Sequence, residues 1–459
     1  MLALISRHGV EAVVSGHVHG FFHNRDGGTD HYTVPSVAFA RRDYAELARI
    51  APAEDEEHGR NDRSRLGLAL IEIDASGHRY HPVATDGAED ADPGWRFLPP
   101  PHPRAGGRAL LGVPLLHDWA GTVALPVNPP TAPFRRRRAR DDRTTLLAWS
   151  LGLDRLRIPL DDLIEPEARA RVVALAAQGM RFWLHSAGLP DRALLDCIAT
   201  APLAGWELAL RSGEIDAAAE VITTHPGKLP PERLLAPIIS TAEREGVAAH
   251  HLFVGGGSAL TEAQARRSLL AALARRAAFT GTMTRLPRDL APFDAVRTLA
   301  AEGDAAATVA LAPETPDAAW REDGAIAARV AEAAFAAWCF PAVSMWLDTF
   351  ADIDRGYFVR HGLADRRLAP HTAGLVLRHL HAALAGLTAP ADAAVRAAPH
   401  GRVITARVGS ALVVLALPGA PDPAAATALL GADPGRLLDL ATGRERPGAG
   451  PTLAIRDSG

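Results

Sequence analysis

Residues 180–211 read MRFWLHSAGLPDRALLDCIATAPLAGWELALR. Met180–His185 is a short apolar run, Gly188-Leu189-Pro190 breaks it, Asp191–Thr200 follows as a helix, and Trp206–Arg211 is a second run. In both runs alternate residues differ in character, as a half-buried strand requires. Phe182 and Leu184, then Trp206, Leu208 and Leu210, form apolar faces. Arg181, Trp183 and His185, then Glu207, Ala209 and Arg211, form the opposite ones. A strand, a helix and a second strand within so few residues is the βαβ unit, whose strands run parallel.

The same alternation extends from Thr144 to about Gly386. Leu153–Leu160 precedes a helix over Glu165–Gln178, with Pro166 in its first turn. Further strands are expected at His251–Val254, Phe279–Met283, Ala306–Leu311 and Val343–Phe350, separated by helices such as Thr261–Arg276 and Gly324–Ala337. Parallel strands with helical crossovers over such a length predict an α/β fold of the (β/α)8-barrel type. A doubly wound open sheet is the alternative, but no G-x-G-x-x-G follows a strand to support a dinucleotide site.

The inner face of that barrel is unusual. Arg155, Arg157, Arg181, His185 and Arg211 fall where a purely structural barrel carries Val, Ile and Leu. Buried charges need partners, and Glu207 and Asp348 are the available ones. Strand ends carry barrel chemistry, so His185, Arg211 and Asp348 are the catalytic candidates, and the clustered guanidinium groups of the inward-facing arginines favour an anionic or polyhydroxylated ligand. An internal salt-bridge network without chemistry is the alternative. The segment Trp346–Leu363, an apolar strand ending in Asp348 and a polar loop with aromatics, resembles the closing strand and loop of sugar-processing barrels. That resemblance implies a glycosidase, which needs an acid and a nucleophile or base about 5 to 9.5 Å apart. Glu207, Glu214, Glu314, Asp348 and Asp352 are the carboxylates that could form such a pair.

Upstream, Val10–Gly20 reads VEAVVSGHVHG, an apolar run that delivers His17 and His19 at i and i+2. On extended backbone both imidazoles point the same way and can reach one metal ion. The segment resembles the last ligand motif of the calcineurin-like metallophosphoesterases, GHxH at the end of a strand. Tyr32–Ser36, Arg65–Asp74 and Arg79–Val83 fit the closing sheet of such a domain. The resemblance covers residues 1–86 and implies His17 and His19 as ligands of divalent Mn, Fe or Zn. The family's D-x-H is missing from residues 1–87 and its GDxxD and GNH motifs from the whole chain, so either the true start is expected well upstream or the chain carries a remnant, with a dinuclear centre only if the missing ligands are supplied.

Composition bounds the rest. The chain has 459 residues, 48% hydrophobic and 22% charged, with a net charge of -4. That balance argues against nucleic acid or an anionic membrane as partner. Two cysteines, Cys197 and Cys339, lie in apolar helical patterns and exclude a disulfide framework. No apolar stretch reaches the 18 or so residues of a membrane span, and no signal peptide is visible, so a cytoplasmic location is expected. Residues 1–87 are expected as the phosphoesterase piece (the remnant of a β-sandwich), 88–143 as a linker rich in Pro and Arg, 144–390 as the barrel and 391–459 as a small β-rich domain. The function this implies is a metal-dependent phosphoesterase acting on a small phosphoester or a carbohydrate-like substrate. The alternatives are a glycosidase-like barrel hydrolase with a vestigial N-terminal segment and a non-catalytic binding or scaffold protein.

Overall fold

A computed structural model of the chain describes residues 2–41, 66–85, 110–124, 134, 138–140, 142–238, 257–260, 278–303, 305–311, 323–352, 362–419, 423–430, 435–445 and 450–457. Eight parallel strands form its centre: β1 (Val113–Pro114), β2 (Arg155–Pro159), β3 (Arg181–Ala187), β4 (Leu203–Arg211), β5 (Glu232–Ile238), β6 (Gly281–Leu286), β7 (Ala306–Val309) and β8 (Ser344–Leu347). They pair in chain order. The ring closes between β8 and β1, where Gly112 N–H donates to Met345 O and Leu347 N–H to Gly112 O, both at 2.9 Å. This is the (β/α)8-type barrel that the strand–helix alternation predicts.

Helices α1 (Arg143–Ser150), α2 (Pro166–Ala177), α3 (Arg192–Thr200), α4 (Ile215–Thr224), α5 (Pro292–Glu302), α6 (Asp323–Cys339) and α7 (Thr372–Leu384) follow the strands. The apolar faces of β2, β3 and β4 pack outward against them: Leu156, Ile158, Phe182, Leu184, Trp206, Leu208 and Leu210 are all buried in one core. Two strands come from unexpected places. β1 lies in the segment assigned to the linker, and β5 carries Pro237 in its interior. The strand expected at His251–Val254 and the helix expected at Thr261–Arg276 lie outside the described residues.

Inside the ring, large side chains sit over glycines. A Cβ on Gly205 of β4 would lie 2.0 Å from Trp183 Nε1, and one on Gly112 would lie 2.3 Å from Trp346 Cε3. Two indoles therefore fill the lumen because two neighbouring positions have no side chain.

The C-terminal unit is an antiparallel sheet of five strands, β9 (Asp392–Ala398), β10 (Gly401–Val408), β11 (Ala411–Pro418), β12 (Arg436–Asp439) and β13 (Thr452–Asp457), in the order β9-β10-β11-β13-β12. Arg402 of β10 fastens it to the barrel by donating to Asp294 at 2.9 Å and to Glu332 at 3.0 Å.

The N-terminal segment requires a correction. It is no remnant of a metallophosphoesterase sandwich but two small sheets docked on α1 and α2. Thr29–Thr33 pairs parallel with Ala12–Ser15 and antiparallel with Phe22–Asp26, and Gly67–Asp74 forms a hairpin with Gly77–Ala84. The contact is partly aromatic, with Phe21 and Tyr80 against Trp149. The rest is a buried polar network. His23 Nε2 meets Asp30 at 2.9 Å, Arg171 of α2 donates to His23 Nδ1 at 2.8 Å, and Asp142 accepts the His23 N–H at 2.8 Å. Arg140, from the segment assigned to the linker, donates to Asp142 at 2.6 Å and to the His23 carbonyl at 2.7 Å. These bonds offset part of the hydration that docking removes from His23, Asp30, Asp142 and Arg171.

Two outcomes are expected. Gly205→Ala and Gly112→Ala each force an indole from its place and should lower stability by about 1–3 kcal/mol in denaturant melts; unchanged midpoints would contradict the packing. The second concerns His381 of α7, whose Nδ1 lies 2.7 Å from Leu151 O while Nε2 accepts from Leu110 N–H at 3.1 Å. Burial lowers its pKa from 6.5 to about 4. The unfolded chain takes up this proton first, so stability is full above pH 6.5 and falls between pH 6.5 and about 4. Unfolding midpoints of His381→Gln should fall less steeply with pH over that window than those of the parent chain.

Candidate active site

Register builds the site. β3 and β4 pair so that His185 stands opposite Glu207, and β2 and β3 so that Arg157 stands opposite Trp183. These are the polar faces of the alternating runs, turned into the ring because the apolar faces are taken by the helices. Arg157 Nη1 lies 2.5 Å from Glu207 Oε2, and His185 Nε2 lies 3.7 Å from Glu207 Oε1. Below them, Arg155 Cζ sits between two rings, 5.1 Å from Trp183 and 4.9 Å from Trp346. Its Nη2 donates to Ser344 Oγ at 2.8 Å. The ring interior is thus a packed stack of guanidinium and indole, in which the ring faces offset part of the charge's lost hydration.

Electrostatics differ from group to group. Burial lowers the pKa of His185; Glu207 raises it, and the charge of Arg157 lowers it further. Asp162, just past β2, accepts the Trp119 indole N–H at 2.7 Å. Burial pushes its carboxyl up to about 6 against that bond, with Asp118 and Asp161 adding to the rise. Nothing in the spacing of Asp162 announces this, since its partner Trp119 comes from the loop after β1.

The remaining candidates scatter around the strand ends. Arg211 is exposed at the end of β4, and its backbone N–H donates to Glu214 Oε2 at 2.9 Å. Asp348 Oδ1 accepts from Leu311 N–H at 2.9 Å and from Thr349 at 3.1 Å, tying the end of β8 to the segment after β7. Asp352 accepts from Gly362 N–H at 3.0 Å and meets His371 Nε2 at 3.0 Å. Burial opposes charge on His371, but the bond to Asp352 and its negative charge raise the pKa. Glu314 lies outside the described residues. Arg181, at the start of β3, is paired with Asp154 at 2.8 Å, away from the strand ends.

One residue of the rim is easily overlooked. Arg329 of α6 is buried and donates to Ala310 O at 2.8 Å, Leu290 O at 2.7 Å and Pro287 O at 2.8 Å, joining the segments that leave β6 and β7. Its signal in the sequence was a lone arginine amid alanines on an apolar helix.

The N-terminal histidines sit elsewhere. The strand stops at Ser15, and His17 (φ 76°) and His19 (φ 53°) occupy left-handed backbone. The extended geometry that would align them is therefore absent. His17 is exposed, and His19 Nδ1 lies 3.1 Å from Phe39 O. Among the described residues no three or more His, Cys, Asp or Glu side chains gather to hold a metal.

No family model matches the chain, and no curated protein does. Among solved structures the chain is similar to a family 39 glycoside hydrolase from the gut symbiont Bacteroides cellulosilyticus WH2, with a TM-score of 0.50 and 12% identity over 97% of this chain and 99% of that one. The likeness is one of fold, a (β/α)8-type barrel followed by a small β-rich unit. Weaker likenesses are a glucosidase from Croceicoccus marinus, TM-score 0.37 and 13% identity over 77% of this chain and 82% of that one, and the family 30 subfamily 8 xylanase Xyn30A from Clostridium acetobutylicum, TM-score 0.34 and 10% identity over 70% and 93%.

The likeness to a glycoside hydrolase structure, and the lack of any metal-holding cluster among the described residues, overturn the expected metal-dependent phosphoesterase. That likeness runs through 97% of the chain. The GHxH string follows a strand of a small docked sheet, and its resemblance to the phosphoesterase motif is local.

Arg157 and Glu207 give this barrel a testable core. Arg157→Leu strands the Glu207 carboxylate inside the ring and should cost about 3–5 kcal/mol, whereas Arg157→Leu with Glu207→Leu should recover most of the loss. A double-mutant cycle by urea unfolding measures this. Additive losses would mean that the two groups are not coupled.

Proposed function

We propose that this chain is a glycosidase-like barrel hydrolase that takes a carbohydrate at the C-terminal mouth of the ring. The observation that carries the proposal is the group Arg157, Glu207 and His185, a carboxylate and an imidazole side by side on adjacent strands. Barrels place their chemistry at that end. A sugar offers hydroxyl groups as donors and acceptors, which His185 and the exposed Arg211 match, and Asp348 adds an acceptor beside the end of β8. Hydrolysis of a glycosidic bond needs two proton-handling or nucleophilic groups flanking it. His185, Arg211 and Asp348 are the residues we assign to the mouth, with Glu207 behind them.

A second reading has its own support. The described carboxylates near the mouth are already engaged: Glu207 by Arg157, Glu214 by the Arg211 N–H, Asp348 by the Leu311 N–H and Asp352 by His371. Such a barrel would bind a carbohydrate without cleaving it.

The two separate on one experiment. The full chain is incubated with nitrophenyl glycosides of hexoses, pentoses and uronic acids in both anomeric series, and the matching free sugars are titrated by calorimetry. The expected result is nitrophenolate release from at least one glycoside. Sugar binding without release would favour the second reading, and neither binding nor release would end the carbohydrate proposal.

A further inference from the structure

We infer that His185 is the proton acceptor of the mouth and that Glu207, clamped by Arg157, is the positioning residue that orients its ring. This deepens the carbohydrate reading and rests on it. Three observations carry it. His185 and Glu207 are direct register partners on β3 and β4, so their side chains leave the same face side by side. The Glu207 carboxylate is divided: Oε2 is taken by Arg157 at 2.5 Å, while Oε1 faces His185 Nε2 at 3.7 Å. Exposure rises stepwise along the chain of groups, from 2% for the Glu207 side chain to 13% for Arg157 and 33% for His185.

The consequence follows from that gradient. Glu207 is too deep to meet a sugar, so it acts through its neighbour. His185 alone of the pair reaches the opening. With Nε2 at 3.7 Å from the carboxylate, the negative charge of Glu207 favours the tautomer with hydrogen on Nε2 and the lone pair on Nδ1. Nδ1 has no hydrogen-bond partner among the described residues. Burial, with the charge of Arg157, favours the neutral ring, and Glu207 opposes both. A neutral imidazole beside a fixed carboxylate is the arrangement that accepts a proton and then stabilises the cation formed.

For an aryl glycoside the step balances without a further acid. The oxygen of a water bonds the anomeric carbon as the bond to the aryl oxygen breaks. The aryl oxide leaves with that electron pair, and the water's proton passes to His185 Nδ1. The carboxylate of Glu207 then faces an imidazolium.

The test uses the full chain and two readouts. NMR titration of the histidine ring protons, with His185→Asn to identify the signal, gives the pKa of His185 in the parent chain and in Glu207→Gln. Removing the negative charge should move that pKa down. The pH profile of kcat/KM for the nitrophenyl glycoside should lose activity on the acid side, with its midpoint at the His185 pKa, and the midpoint should move down with it in Glu207→Gln. His185→Asn leaves the Arg157–Glu207 pair intact; it should abolish the acid limb and lower kcat about a hundredfold or more, with KM little changed. An unmoved His185 pKa in Glu207→Gln overturns the positioning role. If Glu207→Gln does not fold, the His185→Asn profile decides: an acid limb that persists overturns the proton transfer. Turnover whose pH profile ignores His185 overturns the proton transfer and leaves the hydrolase standing. No turnover of any glycoside, with the coupling seen by NMR, overturns the hydrolase and the proton transfer together.

Discussion

Everything in this molecule depends on closing a ring through its shortest strand. β1 contributes two residues, yet the sheet becomes a barrel only because Gly112, just before it, bonds to both sides of Trp346 on β8. An open parallel sheet of this kind would leave two edges exposed, and closure removes them. The Trp346 ring lies against Gly112, so a single missing side chain permits both the hydrogen bonds and the packing beneath them. The partners in this closure are far apart in sequence. The entropy of closing so long a loop has to be met by contacts made elsewhere in the ring.

Inside the ring the protein departs from the aliphatic filling that such barrels usually carry. Two arginines and two tryptophans alternate, and a single glutamate supplies the described counter-charge. Flat guanidinium groups suit this place because they stack on indole and still donate in their own plane. The same stack forms a floor. What stands above it, His185 with Glu207 at its side, is held by strand register and by Arg157. Side chains on strands are placed more firmly than those on loops, which favours a group that must meet a substrate in one orientation.

The sequence revealed the parts of this design that repeat locally. Two-residue alternation in β2, β3 and β4 showed which side chains turn inward, because one face of each strand is all apolar and can only meet the helices. It could not show β1, which is two residues long and ends in Pro114, nor β5, where Pro237 has no N–H for the ladder and makes the run look unlike a strand. Arg329 and Asp162 were opaque for another reason, since their surroundings come from segments distant in the chain. The GHVH string misled because its geometry assumed extended backbone, and the strand ended one residue before Gly16. Local pattern thus located the inner wall, while tertiary contacts alone showed which polar groups it leaves open.

Pro237 has a further effect, on shape. β5 and β6 pair only through Leu234 with Gly281 and Leu235 with Thr282; higher up, the short segment Ser258–Ala259 takes over the pairing with β6, and Gly257 donates to the Pro237 carbonyl. The wall is eight strands round at its base and nine at its rim. Neighbouring strands lie about 4.8 Å apart, so the extra one lengthens the circumference by that amount and widens the opening by about 1.5 Å. The barrel is therefore a funnel, narrow where the indoles plug it and flared where a ligand would enter. The flare lies on the far side of Glu207 from His185, so the entrance is asymmetric, and a bulky guest would find its extra room over β5 and β6.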